Sequence, residues 1–101
     1  MSKLSYRISS RGILDLEEIW IYTMQNWSVE QADYYYNLMI QDIEHITDNF
    51  DSGKAIEKVK KCYRTSKVKS HIIFYRKSED NIVEIVRVLH ERMDIPRRLE
   101  D

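Results

Sequence analysis

The chain has 101 residues, 43% of them hydrophobic and 33% charged, with a formal net charge of −1 and one cysteine, Cys62. This size and composition suit one soluble domain, 1–101, built around one hydrophobic core, and a single cysteine excludes an internal disulfide and a cysteine-based zinc site. No apolar stretch approaches the ~20 residues of a membrane span and the first residues lack the apolar centre of a signal peptide, so we expect a cytoplasmic protein without membrane contact.

The first half of the chain predicts one strand and two helices. Apolar and polar residues alternate over 4–8, which is typical of a strand, and 9–12 is interpreted as a break. Apolar residues then recur at three- and four-residue spacing, which predicts a helix of about four turns. Ser28 followed by Gln31 is a capping-box pattern that predicts the start of a second helix. The predicted core of this antiparallel hairpin contains Leu16, Trp20, Tyr35, Met39 and Ile46.

The second half of the chain predicts a sheet. Residues 51–53 end the second helix, and a basic segment follows over 54–61. Three β-rich runs cover 62–66, 68–76 and 82–89, the last of them nearly continuous in apolar and β-branched residues, as in a central strand covered on both faces. The order β-α-α-β-β-β predicts an α+β fold, with the helical hairpin against one face of a mainly antiparallel sheet.

The charges are divided unevenly along the chain. Residues 12–51 contain nine acidic and no basic side chains, whereas residues 54–77 contain nine basic side chains and one acid, Glu57. This division predicts an acidic helical hairpin beside a basic sheet, and such a field steers an acidic partner towards one face. The alternative is that two solvated faces simply neutralise each other.

Two motifs late in the chain are the most specific. Residues 70–76 read Ser-His-Ile-Ile-Phe-Tyr-Arg, and residues 87–94 read Arg-Val-Leu-His-Glu-Arg-Met-Asp. The first predicted helix carries Asp-Leu-x-x-Ile-x-x-Tyr over 15–22, and the second opens on Ala-x-x-Tyr over 32–35. In these motifs and their order the chain resembles the ParE-type toxins of the RelE/ParE toxin–antitoxin superfamily. One departure is Cys62, where that family often has Gly.

The resemblance implies a bacterial toxin of a type II toxin–antitoxin system, of the kind that also serves plasmid stabilisation. It implies DNA gyrase as the target, inhibited by protein–protein binding, and a ParD-like antitoxin as the neutralising partner in a hetero-oligomer. DNA is then contacted only indirectly, through the antitoxin. No cofactor is implied, and three dispersed histidines without a spaced set of carboxylates argue against a metal site. The predicted target-binding residues are His90, Arg92, Met93 and Asp94.

Three arginines on predicted strands are candidates for recognising the antitoxin. If the side chains of Arg64, Arg76 and Arg87 share a face, they form a patch that binds carboxylates or phosphates in a bidentate manner. The alternative is structural pairing with Glu84 or Asp94. Exposed aromatic residues of the hairpin are further candidates, because such residues often anchor partner proteins. The predicted antitoxin-binding residues are Arg64, Arg76, Arg87, Trp20, Tyr22 and Tyr34.

The rival function is ribosome-dependent cleavage of mRNA, the activity of RelE-type endoribonucleases in the same superfamily. That reaction needs a base, an acid and cations, for which Arg64, Arg76 and His90 are the candidates. Histidines at strand ends more often satisfy local hydrogen bonds, which is the alternative for His90 and for His71. RelE-type enzymes commonly place a Tyr near the chain end, and this chain has none after Tyr75. We therefore favour a toxin without catalysis; a third possibility is a relic that only binds an antitoxin.

Overall fold

A computed structural model describes residues 5–56, 62–93 and 95–99. Its elements are β1 (Tyr6–Ile8), α1 (Ser10–Asn26), α2 (Val29–Asp48), a 3-10 turn (Phe50–Ser52), β2 (Lys54–Ala55), β3 (Arg64–Val68), β4 (His71–Lys77), β5 (Val83–His90) and α3 (Ile95–Leu99). Within this part of the chain the sheet has five strands in the order β1-β5-β4-β3-β2, in which β1 is parallel to β5 and the other neighbours are antiparallel.

The predicted α+β fold and its element order are confirmed, and the structure adds two short elements. β2 lies in the basic segment and pairs with β3 at the sheet edge. α3 covers the sheet face opposite the hairpin, where Leu99 packs with Phe74 and Leu89. Both elements are too short to produce a periodic pattern, so sequence analysis missed them.

The first helix begins earlier than its apolar pattern indicates. Residues 9–12 do not break the chain, because α1 starts directly after Ser9, whose hydroxyl accepts a hydrogen bond from the Gly12 amide at 3.0 Å. This is an N-cap, which satisfies a backbone donor at the helix start. A Cβ at Gly12 would lie 3.0 Å from Cγ2 of Ile8 and 3.2 Å from the Ile85 carbonyl oxygen. Glycine therefore lets α1 approach the sheet closely.

The second helix begins as predicted. The Ser28 hydroxyl accepts a hydrogen bond from the Gln31 amide at 3.0 Å, which confirms the predicted cap. The hairpin buries its inner face against the sheet in a cluster with Ile73, Tyr75 and Val88. Most of the predicted hairpin core is confirmed: Leu16, Met39 and Ile46 are buried, and Tyr35 is half-buried against them.

Trp20 is the exception in the predicted core. Its side chain is only half-buried, lies outside the buried cluster, and donates from Nε1 to Oδ1 of Asp33 at 2.9 Å. The prediction that Trp20 is a core residue is wrong. The apolar stripe of α1 is wider than the face that the sheet covers, so spacing alone assigns too many residues to the core.

The pairing of β4 with β5 contains a β-bulge. Phe74 is opposite Arg87, whereas the next residue of β4, Tyr75, is opposite Ile85, so Val86 is the extra residue in β5. Side chains alternate between the two faces along a strand, and one extra residue reverses the alternation beyond it. The bulge therefore sets which residues at the end of β5 face the hairpin.

The departure at Cys62 also has a structural cost. Its φ is 67°, in the left-handed region, and its side chain is exposed. A glycine, which the family often has there, adopts this conformation without a steric penalty, whereas a residue with a Cβ incurs about 1–2 kcal/mol. A glycine at this position would avoid that cost.

Candidate functional site

The predicted arginine patch does not assemble, because two of its members lie on opposite faces of the sheet. Arg64 is paired in register with Tyr75, whose side chain belongs to the core beneath the hairpin. Arg76 lies on the other face, with its guanidinium 5.7 Å from the centre of the Tyr63 ring. The prediction that the three arginines share one face and form a carboxylate-binding patch is wrong.

Arg87, the third member, is buried and structural. It is 7% exposed, and its Nε and Nη2 donate to the two carboxylate oxygens of Asp15 at 2.8 and 3.0 Å. Its Nη1 donates to the Arg98 carbonyl at 3.0 Å, and Oδ2 of Asp15 also accepts from the Val88 amide at 3.0 Å. This ion pair connects α1, β5 and α3. Arg87 is therefore not available to the antitoxin, and it pairs with Asp15, an acid that the sequence did not point to.

One of those acids, Glu84, belongs to an exposed ion-pair network on the outer face. Its carboxylate is 2.8 Å from Nη2 of Arg76 and 3.3 Å from Nε of Arg7. Burial raises the pKa of Glu84, but hydrogen bonds from Arg76 and Arg7 outweigh burial and hold this pKa below its usual range. Arg76 is thus paired with Glu84, as the structural alternative to an antitoxin-binding role predicted. About half of its side chain is still exposed to solvent. The other acid, Asp94, lies outside the described residues.

A groove of about 680 Å³ lies between α1, the start of α2, the β3–β4 turn and the end of β5. It joins residues that the sequence assigned to different partners, since Tyr22 was predicted to bind the antitoxin and His90 and Met93 the target. We call it the histidine groove, and six of its lining residues define it: Tyr22, Trp27, Tyr35, His71, His90 and Met93.

Two histidines meet in this groove. His71 is opposite His90 in the sheet, and their rings are perpendicular with centroids 5.2 Å apart. Nδ1 of His71 is 2.7 Å from the Tyr35 hydroxyl, and Nδ1 of His90 accepts from the Arg92 amide at 3.1 Å. Burial first, and then the nearby His90, lower the pKa of His71 to about 4. Both rings make local hydrogen bonds, as the structural alternative expected; their pairing was missed.

A second groove of about 520 Å³ lies on the other side of α1, between α1, α2 and β1. It is mostly apolar, and several of its side chains are exposed although they are large and hydrophobic. Tyr34, which the sequence predicted to lie near the surface, is 54% exposed on α2 nearby. We call this second site the hairpin groove, and it is defined by Ile8, Ile13, Trp20, Ile21, Asp33 and Tyr36.

The residues proposed for RNA cleavage are not brought together. His90 lies beside His71, at the start of β4, whereas Arg76 is five residues further along that strand, about 17 Å away at the rise of an extended chain. Arg64 lies on the face opposite to Arg76. A base, an acid and a cation must converge on one reacting group, and this trio does not.

Over 5–56, 62–93 and 95–99 there is no group of three or more side chains able to hold a metal ion, and no helix is long and apolar enough to cross a membrane.

The fold and its two grooves define a small α+β domain whose surface is suited to docking other proteins. The family model described as ParE toxin of type II toxin-antitoxin system, parDE, matches residues 6–95. The chain belongs to this family of toxins, which confirms the resemblance in its motifs.

Relatives and a solved structure agree with this assignment. Toxin ParE1 of Mycobacterium tuberculosis (strain ATCC 25618 / H37Rv) is 36% identical over 94 residues, 93% of this chain and 96% of the relative. Toxin ParE1 of Caulobacter vibrioides is 40% identical over 89 residues, 88% of this chain and 91% of the relative. A solved chain of a chromosomal ParDE TA system from P. aeruginosa has a TM-score of 0.75 at 13% identity, covering 87% of this chain and 96% of that one, and so shares the fold.

Proposed function

We propose that this toxin inhibits DNA gyrase by binding to it in the bacterial cytoplasm, and that a ParD-like antitoxin neutralises it in a hetero-oligomer. The observation that carries the proposal is the histidine groove, where α1 and the last family motif contribute side chains to one surface. Concave sites that combine aromatic and methionine side chains with a few polar groups are suited to hold part of another protein.

The gyrase-binding surface is proposed to be the rim of the histidine groove. Tyr22 and Trp27 are 61% and 68% exposed, and their rings are 6.2 Å apart. Met93 is 41% exposed, and Arg92 is also exposed. Large side chains left uncovered on a small domain are frequent anchors at protein interfaces, where a few of them supply most of the affinity.

The antitoxin is proposed to bind the hairpin groove. Ile13 and Ile21 are each 46% exposed and Tyr36 is 40% exposed, so this apolar surface is open to a partner. A segment that folds on binding suits such a surface, because it buries its apolar side chains in the groove as it becomes ordered. Trp20 and Tyr34 would contribute to the same interface. The antitoxin would be the toxin's connection to DNA.

The ribonuclease alternative has less support. Its three candidate residues lie on two faces and at two ends of the sheet. The family match and the relatives' names also point to ParE toxins rather than to a RelE-type ribonuclease. We therefore propose that the toxin acts through contact rather than through chemistry.

A supercoiling assay beside an in vitro translation assay tests the target. The purified toxin is expected to reduce gyrase supercoiling, or to trap cleaved DNA, and to leave ribosome-bound mRNA intact. Met93→Ser should raise the inhibitory concentration about tenfold or more, because burying a methionine contributes about 1.5–3 kcal/mol. Ile13→Ser, at a similarly exposed site in the hairpin groove, is the matched control and should inhibit like the parent. Codon-specific mRNA cuts with normal supercoiling would contradict the proposal.

The affinity for the antitoxin tests the hairpin groove. Here a substitution in the hairpin groove should weaken binding, and one in the histidine groove should not. Ile21→Ser is expected to weaken the affinity for the cognate antitoxin by a factor of ten or more, since a buried isoleucine contributes about 1.5–3 kcal/mol. Met93→Ser should bind the antitoxin as tightly as the parent. Isothermal titration calorimetry measures the dissociation constant of each variant. Equal affinity of Ile21→Ser and the parent would place the antitoxin elsewhere on the toxin.

A further inference from the structure

The histidine groove has a basic end. Lys69, His71 and His90 line it where the β3–β4 turn meets the end of β5, whereas its aromatic rim lies towards α1 and the start of α2. We propose that these three residues form a carboxylate-binding subsite, and that it takes an Asp or Glu side chain of the gyrase surface docked in the groove. This inference rests on gyrase being the target, and it adds the chemistry by which the groove would recognise it.

Hydrogen-bond donors are available at this end of the groove. The Nδ1 atoms of His71 and His90 are already engaged, with the Tyr35 hydroxyl and the Arg92 amide. Nδ1 of His90 accepts, so the proton of the neutral His90 ring sits on Nε2 and is a donor for a ligand oxygen. His71 carries a proton on Nε2 when its Nδ1 accepts from the Tyr35 hydroxyl, and also when the ring is charged. Lys69 is exposed and adopts a φ of 55° in the two-residue turn before His71. An ammonium and two imidazole N–H groups are the donor set that a carboxylate prefers.

Tyr35 allows His71 to gain a proton without losing a hydrogen bond. The Tyr35 hydroxyl is 2.7 Å from Nδ1 of His71 and 3.2 Å from the Val68 carbonyl oxygen. The neutral His71 ring has one proton, which either donates from Nδ1 to this hydroxyl or is on Nε2 as a donor for a ligand, but not both. Once His71 is protonated, its Nδ1 donates to the hydroxyl, and the hydroxyl donates to Val68. Nε2 then carries a proton as well, so only the charged ring keeps both local hydrogen bonds while it donates to a carboxylate.

The other charges around the pair leave room for such a ligand. Glu91, which follows His90, is held by Lys67 at 2.7 Å, and Asp15 on α1 is held by Arg87. Glu18 on α1 lines the opposite wall of the groove. Like charges repel a ligand carboxylate from Glu18 and direct it to the basic end.

Proton uptake is the distinguishing consequence. His71 is neutral at pH 7 in the free toxin, because burial and His90 lower its pKa to about 4. A bound carboxylate favours the charged ring and raises this pKa. If the pKa returns to its ordinary value of about 6.5, linkage makes gyrase binding about fourfold tighter at about pH 6 than at about pH 8.

The test measures the affinity of the toxin for the gyrase holoenzyme by surface plasmon resonance at these two pH values. The parent should show the roughly fourfold increase on acidification, over and above any contribution of gyrase itself. His71→Gln should lose that increase, and His45→Gln, on the exposed end of α2, should keep it. Lys69→Gln leaves the core untouched and should bind several-fold more weakly at low salt, whereas Lys54→Gln on β2 should bind like the parent.

The outcomes separate this inference from the proposed target. Gyrase binding with the same pH dependence in the parent and in His71→Gln, and the same affinity in Lys69→Gln, would overturn the carboxylate subsite and leave gyrase as the target. No gyrase binding by the parent would overturn both. Calorimetry of the parent complex in two buffers of different ionisation enthalpy counts the protons taken up, so the inference stays testable even if His71→Gln fails to fold.

Discussion

Replacing Asp15 with Ala is expected to lower the free energy of unfolding by about 3–5 kcal/mol, because it leaves a buried guanidinium without its carboxylate. The side chains of Arg87 and Asp15 are 8% and 10% exposed, and two hydrogen bonds of 2.8 and 3.0 Å join them. The same substitution removes the acceptor of the Val88 amide, which adds to the loss. Urea denaturation of the purified protein measures the change.

Two further variants control this prediction. Glu91→Ala breaks the exposed ion pair with Lys67 and should change stability little, since solvent screens such pairs. Asp15→Leu combined with Arg87→Met should be more stable than Asp15→Ala, because no unpaired charge stays buried. If Asp15→Ala lowers the free energy of unfolding as little as Glu91→Ala does, the Asp15–Arg87 ion pair does not stabilise the fold.

Gly53→Ala is expected to lower the free energy of unfolding by about 2–3 kcal/mol, as overpacking of a closed site does. A Cβ there would lie 1.8 Å from the Tyr75 hydroxyl and 2.8 Å from the Thr65 carbonyl oxygen. Tyr75 is fully buried and its hydroxyl donates to the Phe50 carbonyl at 2.9 Å, so moving the ring aside would break this hydrogen bond and disturb the core.

The neighbouring Ser52→Ala is the matched control, because Ser52 is exposed and the change should leave stability nearly unaltered. Adding Tyr75→Phe to Gly53→Ala removes the closest contact but leaves Cζ at 2.7 Å, so only part of the loss should be recovered. Thermal or urea unfolding of the four proteins gives the comparison. An unchanged midpoint for Gly53→Ala would mean that the turn shifts freely.

The elements themselves were predictable because their signals are local. The cap at Ser28, the helical spacing of Leu16 and Met39, and the β-branched run of β5 each depend on a few neighbouring residues. Trp20 shows the limit of this reasoning. A helix that binds a partner carries apolar residues beyond the face that the sheet covers, and the pattern does not distinguish the two uses.

The candidate site was less predictable because it depends on pairing between distant residues. Asp15 and Arg87 are 72 positions apart, and the sequence indicated acids nearer to Arg87 instead. His71 and His90 were each interpreted alone, as structural residues. Centring the β4–β5 hairpin on its polar turn, without the bulge, would place His71 opposite Leu89 rather than His90. Only the register of the folded sheet brings the two rings together.

The bulge in β5 has a consequence for how the toxin tolerates change. Before it, Val83 and Ile85 face the hairpin; after it, Val88 and His90 do. If β5 kept all its residues but paired without the bulge, a single alternation would put Leu89 in the groove in place of His90. Substitutions alter one side chain of the groove at a time, whereas a one-residue change of register exchanges a whole face. Proteins usually accept inserted residues in loops. An insertion inside β5 would instead change which side chains form the partner-binding surface, while leaving the rest of the sheet in place.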